Sequence, residues 1–362
     1  MTRRYTAVFV TALLVVALSA AATPAVAATA QSDADCSFPF TATDATGTNV
    51  TVEERPDSIV ALQPSAAQTL WEIDAQDRVV GAPVGPYTDY LEGIDGKTNV
   101  LNDDQFSVNQ EAVVELDADI VLAPNVVPDE TVQSLREANQ TVYKFGFGTS
   151  LQFVANKTEL TGQLVGSCDG AESTNEEYWS RIDSVRNGTD AYESPRVLHF
   201  TDNFTAGSGT FIDELVTTAG GVNVAAENGV EGYGQINDEA LVEWNPEVIV
   251  VADDEGRVPN TAAYESTFAV QNDQVVAVNG NYLSQPGPRI AIALESIAEA
   301  LAEAELESEA TPTGTPADPE QTPDDPEQST TEPDSTDGDG AGFGALVALV
   351  ALVGAALLAR RP

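Results

Sequence analysis

Asn109-Gln-Glu-Ala-Val-Val-Glu-Leu-Asp-Ala-Asp-Ile-Val-Leu-Ala123 recurs as Asn237-Asp-Glu-Ala-Leu-Val-Glu-Trp-Asn-Pro-Glu-Val-Ile-Val-Val251, with five of fifteen aligned positions identical. Each copy predicts an Asn N-cap, a short amphipathic helix, a polar turn and an apolar β-branched strand. The copies lie about 130 residues apart, too far for a solenoid repeat. The sequence therefore predicts one α/β unit built twice, and clefts between two such lobes hold ligands.

Strand and helix patterns alternate through the body of the chain. This alternation predicts the α/β class, with parallel sheets in two three-layer lobes. The lobes are predicted at residues 36–169 and 191–302, and a helical pattern at 170–190 predicts a stiff linking helix between them. The predicted strands are 58–62, 78–81, 120–122, 141–143, 197–200, 248–251 and 275–278. The other predicted helices are 66–74, 110–116, 129–139, 151–165, 211–219, 238–244 and 289–304.

Two of these helices have recognisable start signals. Ser65 followed by Gln68 predicts a capping box, and Thr210 followed by Asp213 predicts a looser one that stops at Gly220. Each helix follows a strand, so its N-terminus is expected at the carboxyl edge of a parallel sheet, where ligands bind.

The two ends of the chain are predicted to lie outside the lobes. Residues 1–30 combine an Arg pair, an apolar run and small residues, typical of an export signal of either the general secretory or the twin-arginine kind. Residues 303–340 form an acidic tether rich in Pro and Thr, which cannot build a core. Residues 341–362 are apolar and end in two arginines, which predicts a C-terminal transmembrane anchor with the body on the outer face.

The charge of the chain excludes one class of partner. Fifteen Lys and Arg stand against 58 Asp and Glu, for a net charge of −43, and only three of the cations are lysines. Such a surface is typical of proteins that stay soluble in concentrated salt, where repulsion is screened. No basic stripe is present, so nucleic-acid binding is not expected.

The two cysteines, Cys36 and Cys168, are predicted to form a disulfide, since an exported chain meets an oxidising environment. A lipid-anchored Cys36 is the alternative. Asn-x-Ser/Thr acceptor sites for glycans occur at Asn49, Asn139, Asn156, Asn187 and Asn203.

Three segments, at residues 55–70, 205–224 and 282–289, resemble cobalamin- and siderophore-type substrate-binding proteins of ABC importers. The resemblance implies two Rossmann-like lobes, a rigid linking helix and a ligand held in the cleft. The C-terminus is similar to archaeal surface anchors processed by a sortase-like protease. That family usually shows Pro-Gly-Phe where this chain has Ala341-Gly342-Phe343.

The resemblance also implies a partner. In that family one glutamate on each lobe docks into the dimeric membrane permease, which works with its ATPase subunits, and Glu111 and Glu239 match those places. They also occupy the same position in the two repeat copies, so a pseudo-twofold axis would present them as a pair. The alternative is that the macrodipole favours Glu in a first helical turn.

Four ligand contacts are expected in the cleft. The resemblance aligns Tyr87 and Tyr233 with aromatic cleft positions of cobalamin binders, and aromatics suit a flat macrocycle. Phe204 is a third aromatic candidate, and Arg289 is a candidate partner for a carboxylate or phosphate. Capture of cobalamin or a related corrinoid at the cell surface is the predicted function, with a ferric siderophore or haem as the alternative ligand.

Other classes of function find little support. The single histidine, His199, lies in a strand pattern, so a multi-histidine metal site is not expected. We also expect no cofactor and no catalytic residues, because no nucleophile–base set is available beyond His199. A surface adhesion protein would suit the tether, but such stalks are usually all-β.

Overall fold

The computed structural model describes residues 36–189, 193–252 and 256–306. The predicted export signal, the C-terminal anchor and all but the first residues of the tether lie outside them. The strands in these residues are β1 (Phe40–Thr43), β2 (Asn49–Val52), β3 (Ile59–Ala61), β4 (Val79–Ala82), β5 (Thr98–Asn99), β6 (Ile120–Ala123), β7 (Val142–Lys144), β8 (Arg196–Phe200), β9 (Phe204–Ala206), β10 (Val222–Asn223), β11 (Tyr233–Gln235), β12 (Val248–Val251) and β13 (Val275–Ala277). The α-helices are α1 (Pro64–Glu72), α2 (Gln110–Glu115), α3 (Asp129–Glu137), α4 (Leu151–Val165), α5 (Cys168–Gly188), α6 (Phe211–Thr218), α7 (Val224–Glu227), α8 (Asp238–Trp244), α9 (Ala262–Glu265), α10 (Phe268–Gln271), α11 (Gly280–Leu283) and α12 (Ile290–Glu303).

Each lobe is built on a parallel sheet, as predicted. The first has the order β5-β4-β3-β6-β7 and the second the order β10-β8-β12-β13. Every residue of β3, β6 and β12 is buried, because helices cover both faces of the sheets, and this explains their continuous Val, Ile and Leu runs. The fold is therefore an α/β structure of two lobes.

The repeated stretch takes equivalent places in the two lobes. In the first lobe α2 leads into β6, which lies between β3 and β7 in its sheet. In the second lobe α8 leads into β12, which lies between β8 and β13. Asn109 and Asn237 are the N-caps; their side chains accept bonds from Ala112 N at 3.1 Å and Ala240 N at 2.9 Å. The duplication read from the sequence is thus a duplication of structure.

Two long helices belong to both hydrophobic cores. The start of α4 packs in the core of the second lobe through Leu151, whereas its end packs in that of the first through Leu164. In α5, Ala171 packs in the first core and Ile182 in the second. The Glu214 carboxylate of α6 accepts a bond from Leu151 N at 2.6 Å, which fixes the start of α4 to the second lobe. The predicted linking helix is α5, and α4 packs beside it, so the two helices together form the support between the lobes.

The predicted disulfide is present. Cys36 and Cys168 are bonded, with their Cα atoms 5.7 Å apart. The bond ties the segment before β1 to the first residue of α5, and so it anchors the start of the first lobe to the support between the lobes.

The structure corrects one predicted helix cap, confirms another and adds two ribbons. The capping box at Ser65 was wrong: α1 begins at Pro64 with Gln63 as its N-cap, and Gln68 is buried and bonds to other partners. The cap at Thr210 is confirmed, since it accepts a bond from Asp213 N at 3.1 Å. Two antiparallel ribbons, β1-β2 and β9-β11, were not predicted; the three-residue strands of β9-β11 are too short to show alternation.

Two surface properties bear on the sequence predictions. The asparagines of all five acceptor sites are exposed, and their glycosylation stays a prediction. Within the described ranges no helix is long and apolar enough to cross a membrane. The predicted anchor at 341–362 is not among those residues.

Candidate ligand cleft

A cavity of about 500 Å³ lies between the two lobes. Its walls come from loops that follow the carboxyl ends of strands, which is where parallel sheets place their ligand sites. In the first lobe these loops follow β3, β4, β5 and β6. In the second they follow β8 and β12, and the segment 280–286 completes the wall. The lining residues are Gln63, Pro64, Ser65, Pro86, Tyr87, Gln105, Phe106, Pro124, Asn125, Val126, Thr201, Asp202, Ala252, Gly280, Asn281, Ser284, Gln285 and Pro286.

Two aromatic rings form the apolar wall of the cavity on the first lobe. Tyr87 and Phe106 have ring centroids 5.9 Å apart and tilted planes, and they remain 43% and 50% exposed. The Phe106 loop is held by Asp104, whose carboxylate accepts bonds from Phe106 N and Ser107 N at 3.0 and 2.9 Å. These bonds lower the pKa of Asp104. Phe106 was not predicted from the sequence; the signal that could have indicated it is a large aromatic residue in a polar loop.

The second lobe carries its predicted aromatics on the β9-β11 ribbon. Tyr233 pairs with Ala206 and Gln235 pairs with Phe204, so the Phe204 and Tyr233 side chains lie on one face of the ribbon as diagonal neighbours. Neither side chain lines the cavity, but the ribbon continues directly from Thr201 and Asp202, which do. Their role as ligand contacts stays a prediction.

A buried lysine supports the floor of the cavity. Lys157 of α4 donates to Pro286 O at 2.9 Å in the second lobe, and its ammonium lies 3.3 Å from Ser65 Oγ in the first. It also lies over the ring of Phe145, 5.7 Å from the centroid. Burial lowers the pKa of Lys157 to about 7. Nothing in the sequence distinguishes Lys157, because a lone Lys in a helix usually reaches solvent.

Residues 281–289, which we call the crossing segment, reach from the second lobe onto the first. Gln285 Nε2 donates to Tyr87 O at 2.9 Å, and the Tyr90 hydroxyl donates to Gln285 Oε1 at 3.0 Å. Burial raises the pKa of Tyr90 to about 12, so its hydroxyl stays protonated at neutral pH. Gly287 passes so close to Gln68 that a Cβ there would clash with Gln68 Oε1. The segment thereby fixes the backbone that carries Tyr87.

Arg289, a predicted ligand contact, does not line the cavity, and its role as a ligand contact stays a prediction. Its Nε donates to Glu72 Oε1 at 2.7 Å, and its guanidinium lies 4.9 Å from the ring centroid of Tyr90 and 5.5 Å from that of Tyr282. These partners belong to both lobes, and none of them lines the cavity. The side chain therefore joins the two lobes outside the cavity.

Glu111 and Glu239 are exposed in the first turns of α2 and α8, at equivalent positions of the two repeat copies.

The single histidine, His199, is buried in β8, and burial lowers its pKa to about 4. Among the residues with described positions, no group of three or more His, Cys, Asp and Glu is arranged to hold a metal ion.

Two α/β lobes on a helical support, with a cavity at their facing strand ends, define a solute-binding protein. The chain belongs to the periplasmic binding protein family, whose model matches residues 59–282. Members of this family bind solutes for ABC importers and are not enzymes. A second model, the PGF-CTERM motif of archaeal surface proteins, matches residues 340–361. Together they make this an extracellular protein anchored at the cell surface by its C-terminus.

The chain is 40% identical over 344 residues to the cobalamin-binding protein of Halobacterium salinarum. This alignment covers 92% of this chain and 91% of that protein. Among solved structures, the periplasmic vitamin B12-binding protein of Vibrio cholerae matches with a TM-score of 0.59 and 23% identity, covering 68% of this chain and 97% of that one. The periplasmic heme-binding protein of Roseiflexus matches with a TM-score of 0.61 and 21% identity, covering 68% and 98%. At these identities the solved structures show the fold alone.

Proposed function

We propose that this protein captures cobalamin or a related corrinoid outside the cell and delivers it to an ABC permease. The observation that carries the ligand class is the cavity wall formed by Tyr87 and Phe106. Two tilted, half-exposed rings offer flat apolar contact to a macrocycle. The Halobacterium salinarum relative, a cobalamin-binding protein, supports the same ligand.

The charge of the cavity favours a corrinoid over its rivals. Asp202 is its single charged lining residue, and no Lys or Arg lines it among the residues described. Catecholate and carboxylate ferric siderophores and haem carry anionic groups that call for cations. The amide groups around a corrin are neutral, and they suit the cavity-lining amides of Gln63 and Asn125 as hydrogen-bonding partners. Haem would also need an axial ligand, for which Tyr87 is the candidate in the described cavity.

Calorimetry on the full chain in concentrated salt tests this proposal, with cyanocobalamin, haemin and a ferric siderophore measured side by side. We expect one-to-one binding of cyanocobalamin. Tyr87→Ala and Phe106→Ala should each weaken it by about tenfold, since a lost aromatic contact costs roughly 1 kcal/mol or more. Phe147→Ala is the matched control, because Phe147 is an exposed aromatic outside the cavity. Tighter binding of haemin or the siderophore would reject the corrinoid.

We propose that Glu111 and Glu239 contact the permease dimer, which works with its ATPase subunits, when the ligand is delivered. Both carboxylates are exposed, and they occupy equivalent places in the two lobes. Glu111→Arg combined with Glu239→Arg should leave cyanocobalamin affinity unchanged and abolish its uptake by cells. Normal uptake by that double variant would reject the docking role.

A further inference from the structure

The two repeat copies present the same three side chains to solvent. On each helix a glutamate is followed by a valine three positions later and a glutamate four positions later, a spacing that puts all three on one side. All six side chains are exposed, including 37% of Val114 and 51% of Val242. We call each set a Glu-Val-Glu face: Glu111, Val114 and Glu115 on the first lobe, and Glu239, Val242 and Glu243 on the second.

Most of the residues that are identical between the two repeat copies lie on these faces. Three of the five identical positions form the face, and the other two are the cap asparagine and an alanine. The core-facing positions differ: Val113 corresponds to Leu241, and Leu116 to Trp244. Packing in the core therefore does not explain why the exposed positions match.

Helix stability does not explain the match either. The helix dipole favours the first glutamate of each face, but Glu115 is the last residue of α2 and Glu243 the last but one of α8, where the dipole disfavours a negative charge. Valine is a weak helix former, and its exposure leaves apolar surface in water. Both lobes thus keep residues that folding alone would not select.

The two faces also have equivalent positions in the fold, since α2 leads into β6 as α8 leads into β12. A partner that contacts both must present a matching surface twice, as a two-fold dimer does. None of the four glutamates forms an ion pair within the described part of the chain, so the carboxylates complement a basic surface.

We infer that each Glu-Val-Glu face is one docking site for the permease dimer, with the valine as an apolar anchor between two charged contacts. This inference rests on the proposed function, and it extends docking from one residue on each lobe to three. The anchor matters because at about 1 M salt the screening length falls to about 3 Å, which weakens ion pairs at a surface. Burial of valine is not screened.

Binding of the full chain, loaded with cyanocobalamin, to its permease complex in nanodiscs tests the inference across salt concentrations. Val114→Ser with Val242→Ser should weaken this binding by about tenfold or more at high salt, and lower uptake in cells. Glu115→Gln with Glu243→Gln should weaken it several-fold at low salt and less at high salt. Glu130→Gln on α3 and Phe147→Ser are the exposed controls, and both should bind as the wild type does.

The possible results distinguish a failure of the apolar anchor from a failure of the proposed function. Wild-type binding by the double serine variant at all salt concentrations, with binding lost in Glu111→Gln with Glu239→Gln, would overturn the apolar anchor and leave the proposed function intact. Failure of the wild type to bind the permease, or to bind cyanocobalamin, would overturn the proposed function and the inference with it. Calorimetry with cyanocobalamin on each variant shows whether the lobes remain folded and competent.

Discussion

At the scale of single residues, Lys157 has the most unusual environment in the cleft. It is buried, bonds to carbonyl and hydroxyl oxygens of both lobes, and pairs with no carboxylate of the described residues. The side chain therefore stabilises the cavity floor through hydrogen bonds, while its charge opposes burial.

This environment predicts a pH dependence of stability. The pKa of Lys157 is about 7 in the folded chain, against 10.5 for a lysine side chain in water, so the unfolded chain holds more protons between these values. The free energy of unfolding should therefore rise with pH in this window, by about 1.4 kcal/mol per pH unit, relative to Lys157→Met. Urea unfolding of both proteins from pH 7 to 10 measures the difference. Parallel curves would show that the burial penalty is absent.

Single residues were also where the sequence was least informative. Tyr87 lines the cavity, but so does Phe106, which the sequence did not indicate, and the predicted contact Arg289 does not line it. A side chain's direction depends on the loop that carries it, and loops have no periodicity from which to read it. Lys157 was missed for a similar reason: burial of a lysine depends on partners that come from distant parts of the chain.

Among the structural elements, the crossing segment fixes the part of the apolar cavity wall that carries Tyr87. Gln285 donates to Tyr87 O and accepts from Tyr90, and it is buried between the lobes. Gln285→Met should lower the free energy of unfolding by about 1–3 kcal/mol, because it leaves buried polar groups unpaired. It should also weaken cyanocobalamin binding, because the Tyr87 backbone loses its anchor.

The control for this prediction is Gln133→Met on α3, which removes an exposed amide that bonds only along its own helix. Unfolding in urea and calorimetry on both variants check the two effects. Equal ligand affinity for Gln285→Met and the wild type would show that Tyr87 is positioned without the crossing segment.

Elements were easier to predict than sites. The long helices were found because their apolar positions recur with helical periodicity, and the buried strands because they are short continuous apolar runs. The Asn caps fixed where α2 and α8 begin. The β9-β11 ribbon escaped, although it carries two of the predicted ligand residues, because three-residue strands show no pattern. The cap assigned to Ser65 failed because Gln68 bonds across the lobes instead, an interaction that only tertiary structure reveals.

At the scale of the whole molecule, the net charge of −43 sets the conditions under which the protein works. Repulsion among so many carboxylates destabilises the compact state unless salt screens it. We expect the melting temperature of the full chain to rise by several degrees, on the order of 5 °C or more, between about 0.2 and 2 M KCl. Sucrose at equal osmolality controls for preferential exclusion and should raise it less. A melting temperature that falls with KCl would contradict this account.

The two-helix support of α4 and α5 has a consequence for transport. Because both helices are packed in both cores, the spacing of the Glu-Val-Glu faces is set by buried side chains that the solute does not touch. The protein without ligand should then present the two Glu-Val-Glu faces at nearly the same spacing as the protein with ligand. If docking occurs as proposed, copies without ligand compete with loaded copies for the permease, and the ratio of binding protein to permease then governs import when the solute is scarce.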